Sequence, residues 1–200
     1  MMKVLPSIIA TIGLFGSTVV YGTPTWSSSA YYIANADDKS GMQWQTVASK
    51  HGRFSILMPA PVSKTSQEVG SHRTVTYNSV LPASNSNFTV SYTTYGEEYL
   101  RKHSRTKLLK ESIHLAVSSL LGKVVKRQAV DVDGCEAIEF EFEGHSRSTT
   151  HTGQEAAADL HGIGRAVFAN DTTYLLLCDT VGSAPETSCE KFISSFKILP

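Results

Sequence analysis

The chain has little of what usually announces a chemistry. Its 200 residues hold three cysteines and no excess of charge, with 18 basic against 18 acidic side chains. Near neutrality excludes the broad electrostatic footprint of a nucleic-acid or polyanion binder. No H-E-x-x-H or H-x-H pair presents zinc ligands on one face, and no D-x-D-x-D-G loop suits calcium. The glycines of HGIGRA (residues 161–166) lack the G-x-G-x-x-G spacing and lead into a strand pattern, so no nucleotide site follows. Nothing repeats at a fixed period, which removes solenoids and propellers. No metal, cofactor or catalytic residue is expected on these grounds.

What is present begins with a processing signal. Met1-Met2-Lys3 precedes the apolar run VLPSIIATIGLFGSTVV, and Val20-Tyr21-Gly22 is a small-residue boundary of the kind signal peptidases cut. The run is short for a span of about 20 apolar residues and contains Pro6, Gly13 and Gly16. Residues 1–22 therefore read as a secretory signal, with an uncleaved membrane anchor as the alternative, and no transmembrane helix is expected after it. Residues 23–43, rich in Ser and Ala, read as a linker or loosely ordered arm, and residues 44–200 as one domain.

Hydrophobic phase supplies the fold class. Phe54, Ile56 and Met58 alternate with Arg53, Ser55 and Leu57; Val75 and Tyr77, then Phe88, Val90 and Tyr92, keep the same two-residue period. Three antiparallel strands are expected from these runs. From Ser104 to Leu121 the period changes, and Leu109, Ile113, Ala116, Val117 and Leu120 form a helical stripe that Gly122 is expected to terminate.

Strands resume with KVVKRQAVDV and EAIEFEFEG around the turn dipeptide Asp133-Gly134. A register setting Val130 beside Ile138 would also set Arg127 beside Glu141. HGIGRAVFAN and TTYLLLCDT make a further hairpin, and PETSCEKFISSF closes the chain as a short helix. The expected class is α+β: an antiparallel sheet packed with one long helix at about 104–121 and a short C-terminal helix.

In such a meander the 173–180 strand ends beside the start of the closing helix and away from the turn holding Cys135. Cys178 and Cys189 are then the favoured disulfide pair, with three unpaired thiols as the open alternative.

Four clusters could carry chemistry. Gly144-His145-Ser146-Arg147-Ser148 falls one residue short of the G-x-S-x-G nucleophile elbow, and its strand is committed to an antiparallel hairpin, so GHSRSTT reads as a polar loop. His145, His151 and His161, with Glu155 and Asp159, offer metal-ligand types at spacings that fix no common face; a metal-dependent or serine hydrolase using the 145–161 segment is the enzymatic alternative. Arg101, Lys102, Arg105, Lys107 and Lys110 crowd a helix entrance and could hold an anionic surface or partner, although Glu97, Glu98 and Glu111 stand among them. The ladder Glu139, Glu141 and Glu143, with Asp131, Asp133 and Glu136 nearby, reads as the wet face of a half-buried strand. Asn87-Phe88-Thr89 and Asn170-Asp171-Thr172 are glycosylation sequons, relevant only in a eukaryotic host.

Taken in order, GRFSILMPAP, TVSYTTY, VDGCEAIEFEFEG and RAVFANDTTYLLLC followed by EKFISSFKIL resemble the PsbP-like proteins, whose fold is shared with the Ran-binding protein Mog and with exported bacterial proteins of unknown function. The resemblance spans about residues 44–199. It implies an antiparallel sheet flanked by helices, used for binding or assembly, and it transfers no site residue. The resulting expectation is an exported, secreted or periplasmic, non-enzymatic binding or accessory protein whose partner is another protein or an envelope component.

Overall fold

A computed structural model describes residues 33–37, 43–69, 72–81, 84–149, 155–182 and 187–200. The segment read as a signal lies outside the described residues, as do His151 and most of the arm.

The structure places two antiparallel sheets where one was expected. The smaller has the order β1 (Ile33–Asp37), β2 (Gln43–Ser49), β3 (Phe54–Pro59) and β11 (Lys197–Ile198). The larger has seven strands: β4 (Ser63–Val69), β5 (His72–Leu81), β6 (Ser86–Thr94), β10 (Thr172–Val181), β9 (Glu155–Ala169), β8 (Cys135–Thr149) and β7 (Lys123–Val132), in that spatial order. Between β6 and β7 come α1 (Glu97–Lys102) and α2 (Arg105–Ser119), and α3 (Thr187–Ser194) precedes β11. No described helix is long and apolar enough to cross a membrane.

Each face of the large sheet has its own core. On one side the small sheet and α3 bury Trp44, Phe54, Ile56 and Met58 against Phe88, Val90 and Leu176. Phe54 is at the centre of this layer, with ring centroids 5.8 Å from Tyr77, 5.9 Å from Phe196 and 6.0 Å from Tyr174. Such pairs add about 0.5–1.5 kcal/mol to the gain from area burial. On the other side α2 lays Leu108, Leu109, Ile113 and Val117 over Phe140, Phe142, Leu175 and Leu177. β10 is shared by both cores and is buried along almost its whole length, so TTYLLLCDT shows no alternation.

The expected long helix is shorter, and a second helix that was not expected precedes it. α2 has 15 residues, starts where the Ser104 side chain accepts a hydrogen bond from the Lys107 backbone N–H at 3.3 Å, and is preceded by the separate six-residue α1. Its end is not a left-handed Gly122: Leu121 takes that conformation, at φ 50°. Gly122 is required for another reason, since a Cβ there would lie 2.4 Å from the Glu143 carbonyl oxygen. The chain leaving the helix therefore runs directly against β8.

The β7–β8 hairpin also differs by one residue from the expected register. Asp133 and Gly134 both adopt positive φ, 53° and 78°, which makes a two-residue turn and sets Val132 opposite Cys135. Val130 then faces Ala137, and Lys126, rather than Arg127, faces Glu141. A bulge between Val124 and Lys126 shifts the pairing again near the helix.

The segment GHSRSTT is not a loop. β8 continues through Gly144 to Thr149 and pairs with β9 throughout, from Ala137↔Val167 to Thr149↔Glu155. The disulfide joins Cys178 of β10 to Cys189 of α3 at a sequence separation of 11, and both residues are fully buried. Cys135 is a free thiol.

Candidate binding cleft

On the small-sheet side of the large sheet, α3 packs near β9 and β10. There a cleft of about 300 Å3 opens, lined by Lys126 and Gln128 of β7, Glu139 and Glu141 of β8, Ile163 and Arg165 of β9, and Glu190 and Ile193 of α3. Alternation along β8 turns Phe140 and Phe142 into the core under α2 and leaves the glutamates on this side.

The glutamate ladder is matched base for acid. Glu139 faces Arg165, Glu141 faces Lys126, and Glu143 faces Lys123, each directly across a strand pair. The Lys126 ammonium bonds Glu141 at 2.7 Å, and the Lys123 ammonium lies 3.3 Å from Glu143. The bond to Glu141, with its charge, holds Lys126 above the usual lysine range.

Arg165 is the anchor of the cleft. Its Nε and Nη2 donate to Glu139 Oε1, the former at 3.0 Å, and its Nη1 donates to the Ile193 carbonyl oxygen at 2.9 Å. That carbonyl belongs to the last turn of α3, where orphan acceptors need outside donors. With a side chain only 14 % exposed, the guanidinium joins sheet to helix and fixes the width of the cleft. The lining contains no imidazole or thiol, and the hydroxyl of its one serine, Ser194, is turned back to the Lys191 carbonyl oxygen at 3.2 Å. The arrangement can hold charged and apolar groups of a ligand in fixed positions; it presents no activated nucleophile.

The other candidate residues are placed as follows. Ser146 lies inside β8 opposite Ala158, without the strand-to-helix turn that an elbow needs. His145 and Asp159 face each other across β8 and β9, with Nδ1 and Oδ1 3.4 Å apart, and His161 faces Glu143 two positions along the same strand pair. Among the described residues no three His, Cys, Asp or Glu side chains are placed to hold a metal ion. Of the basic segment, Lys102 pairs with Glu98, Lys107 lies 3.7 Å from Glu111, and the Arg105 guanidinium sits 5.5 Å from the Phe168 ring centroid. Arg101 and Lys110 are exposed, and Lys110 borders a shallow hollow along α2 with Ser104 and His114.

The residues that build the cleft were missed as a site from sequence. Their signal was the cross-strand match of acids on EAIEFEFEG with bases on both neighbouring strands, which becomes visible only once the register is known.

No protein-family model matches the sequence, and no curated relative does. Among solved structures, the chain is similar to the solution structure of cyanobacterial PsbP (CyanoP) from Synechocystis sp. PCC 6803, at a TM-score of 0.51 and 12 % identity, over 88 % of this chain and 99 % of that one. A crystal structure from Bacteroides thetaiotaomicron VPI-5482 aligns at a TM-score of 0.39 and 12 % identity, over 74 % of this chain and 46 % of that one. At these identities the likeness concerns architecture alone, and on that evidence the chain has a PsbP-like fold.

Proposed function

We propose that this chain is an exported accessory protein that acts by binding a polypeptide partner in the cleft between α3 and the β7–β9 strands, without catalysis of its own. The observation that carries this reading is the Arg165–Glu139–Ile193 junction. It holds a rigid, two-signed groove with an apolar strip, Ile163 and Ile193, suited to an extended segment bearing both charges and an aliphatic anchor. A PsbP-like fold supports an accessory role by analogy of architecture. The buried Cys178–Cys189 disulfide supports export to an oxidising compartment.

Site-specific photocrosslinking in the native compartment tests it, with the probe at Gln128 in the cleft or at Lys110 on α2. A discrete protein adduct from position 128 and none from 110 is expected. Adducts from 110 alone would favour the basic segment as the contact surface, and the absence of any adduct from 128 removes the cleft reading.

A further inference from the structure

The face of the large sheet that carries α2 changes character halfway across. Under the helix it is apolar, and the cluster there draws no residue from β4, β5 or β6. Follow the register outward from β10. Leu175 faces Ser91, which faces Thr76, which faces Thr65; Leu177 faces Thr89, which faces Asn78, which faces Ser63. Each row passes at the β10–β6 boundary from aliphatic to hydroxyl or amide side chains. On this side β4, β5 and β6 carry no Asp, Glu, Lys or Arg at all.

That composition is not the general habit of this surface. The exposed part of the opposite face is a lattice of ion pairs, Lys123 with Glu143 and Lys126 with Glu141. A solvated strand face with no function to serve would be free to use the same charges. Here neutral donors and acceptors stand instead on a grid set by the sheet, about 4.8 Å between strands and about 6.8 Å between alternate residues.

Partners within the grid are incomplete. The Thr74 and Thr93 hydroxyls bond each other at 2.8 Å, and the Asn87 amide donates to Asp179 Oδ2 at 3.1 Å. The side-chain oxygens of Asn78 and Asn87 have no hydrogen-bond partner among the described residues but are buried, so the ligand-facing groups are those of the exposed Thr65 and the half-buried Thr76 and Ser91. Both ends of the grid offer apolar contact: Val80, 54 % exposed, at one, and the His72–Tyr95–Tyr99 ring cluster at the other, with centroids 4.3–5.4 Å apart.

We propose that the β4–β6 half of this face is a binding surface for a neutral, polyhydroxylated chain, a glycan. Sugar units present hydroxyl rims that both donate and accept, and C–H faces that pack on aliphatic or aromatic groups. A hydroxyl and amide grid to which its own three strands bring no charge, bordered at Asn87 by Asp179 of β10 and with apolar ends, complements both. A site built on side-chain hydrogen bonds rejects ligands lacking them, because its own groups are then left unpaired. This surface is separate from the cleft, so either can fail without the other.

Titration calorimetry of the full chain with maltohexaose, cellohexaose and chitohexaose, paired with amide chemical-shift mapping, tests it. Saturable binding to at least one is expected, unchanged between low and high salt, with shifts concentrated on Thr76, Asn78, Thr89 and Ser91. The double variant Thr76→Val/Ser91→Ala should bind about tenfold more weakly at an unchanged unfolding midpoint, while Gln128→Ala, in the cleft, should bind normally. No saturable binding to any of the three, shifts that map elsewhere, or full affinity in the double variant overturns the proposal.

Discussion

Arg165 and Glu139 face each other across the β8–β9 pair, and the guanidinium that satisfies the carboxylate also bonds the Ile193 carbonyl oxygen. One side chain thus ties two strands to the last turn of α3. Arg165→Met should cost about 1–3 kcal/mol in urea denaturation, since it strands a half-buried carboxylate and a helix-end acceptor together. Arg165→Lys should recover little, because an ammonium cannot present three donors in the fork this junction uses. Full recovery by lysine would show that charge, not geometry, holds the helix.

Gly162 and Gly164 make room for rings. A Cβ on Gly162 would lie 2.3 Å from Phe142 Cζ, and one on Gly164 would lie 2.3 Å from Phe140 Cζ. Both glycines face those phenylalanines directly across the β8–β9 pair. Gly164→Ala should therefore destabilise by about 1–3 kcal/mol through overpacking. Gly164→Ala/Phe140→Leu should regain part of the loss, and a strictly additive double variant would refute the contact.

The disulfide closes a short loop between β10 and α3. Replacing both Cys178 and Cys189 with alanine should lower unfolding stability by about 2–4 kcal/mol. Both residues have no solvent exposure, so mild reductant should leave the folded protein oxidised, and thiol titration should reveal one reactive group, Cys135. Rapid appearance of three thiols without unfolding would contradict this seating of α3.

Asp179 is 5 % exposed on the α2 side of β10. Burial raises its carboxyl from the ordinary 3.8 to about 6, against the opposing effect of the Asn87 hydrogen bond. Because the folded value lies above the unfolded one, the folded state keeps a proton that the unfolded chain has released. Stability is lost as pH rises from about 4 through about 6, and the full penalty is present at pH 7. Asp179→Asn should then be more stable than the parent at pH 7, by roughly 2–3 kcal/mol, with the difference vanishing near pH 4. An equal stability difference at both pH values would exclude this carboxyl as its source.

Strands with one buried face were legible: Phe54, Ile56 and Met58, and likewise Phe88, Val90 and Tyr92, keep their phase because the core demands it. β4, SKTSQEV, carries no such phase because it is an edge strand, exposed along nearly its whole length. The far half of β8 was mistaken for a loop for a similar reason: beyond Gly144, which faces the core residue Leu160, its partners are β9 residues such as Ala158 and Asp159, outside both cores. Leu121 illustrates a different limit. Glycine was expected to take the left-handed position, but close approach to Glu143 claimed Gly122, and the strain moved one residue back. The cleft depended on register, and a single residue of slip exchanged Lys126 for Arg127 as the partner of Glu141.

Because β10 is the wall common to both hydrophobic layers and is hydrogen-bonded to β6 and β9 on its two sides, no partial opening can free its amides while either layer survives. Deuterium should enter Leu175 to Cys178 last of all. Their exchange rates would then report the free energy of complete unfolding, a built-in gauge against which looser parts of the molecule can be ranked.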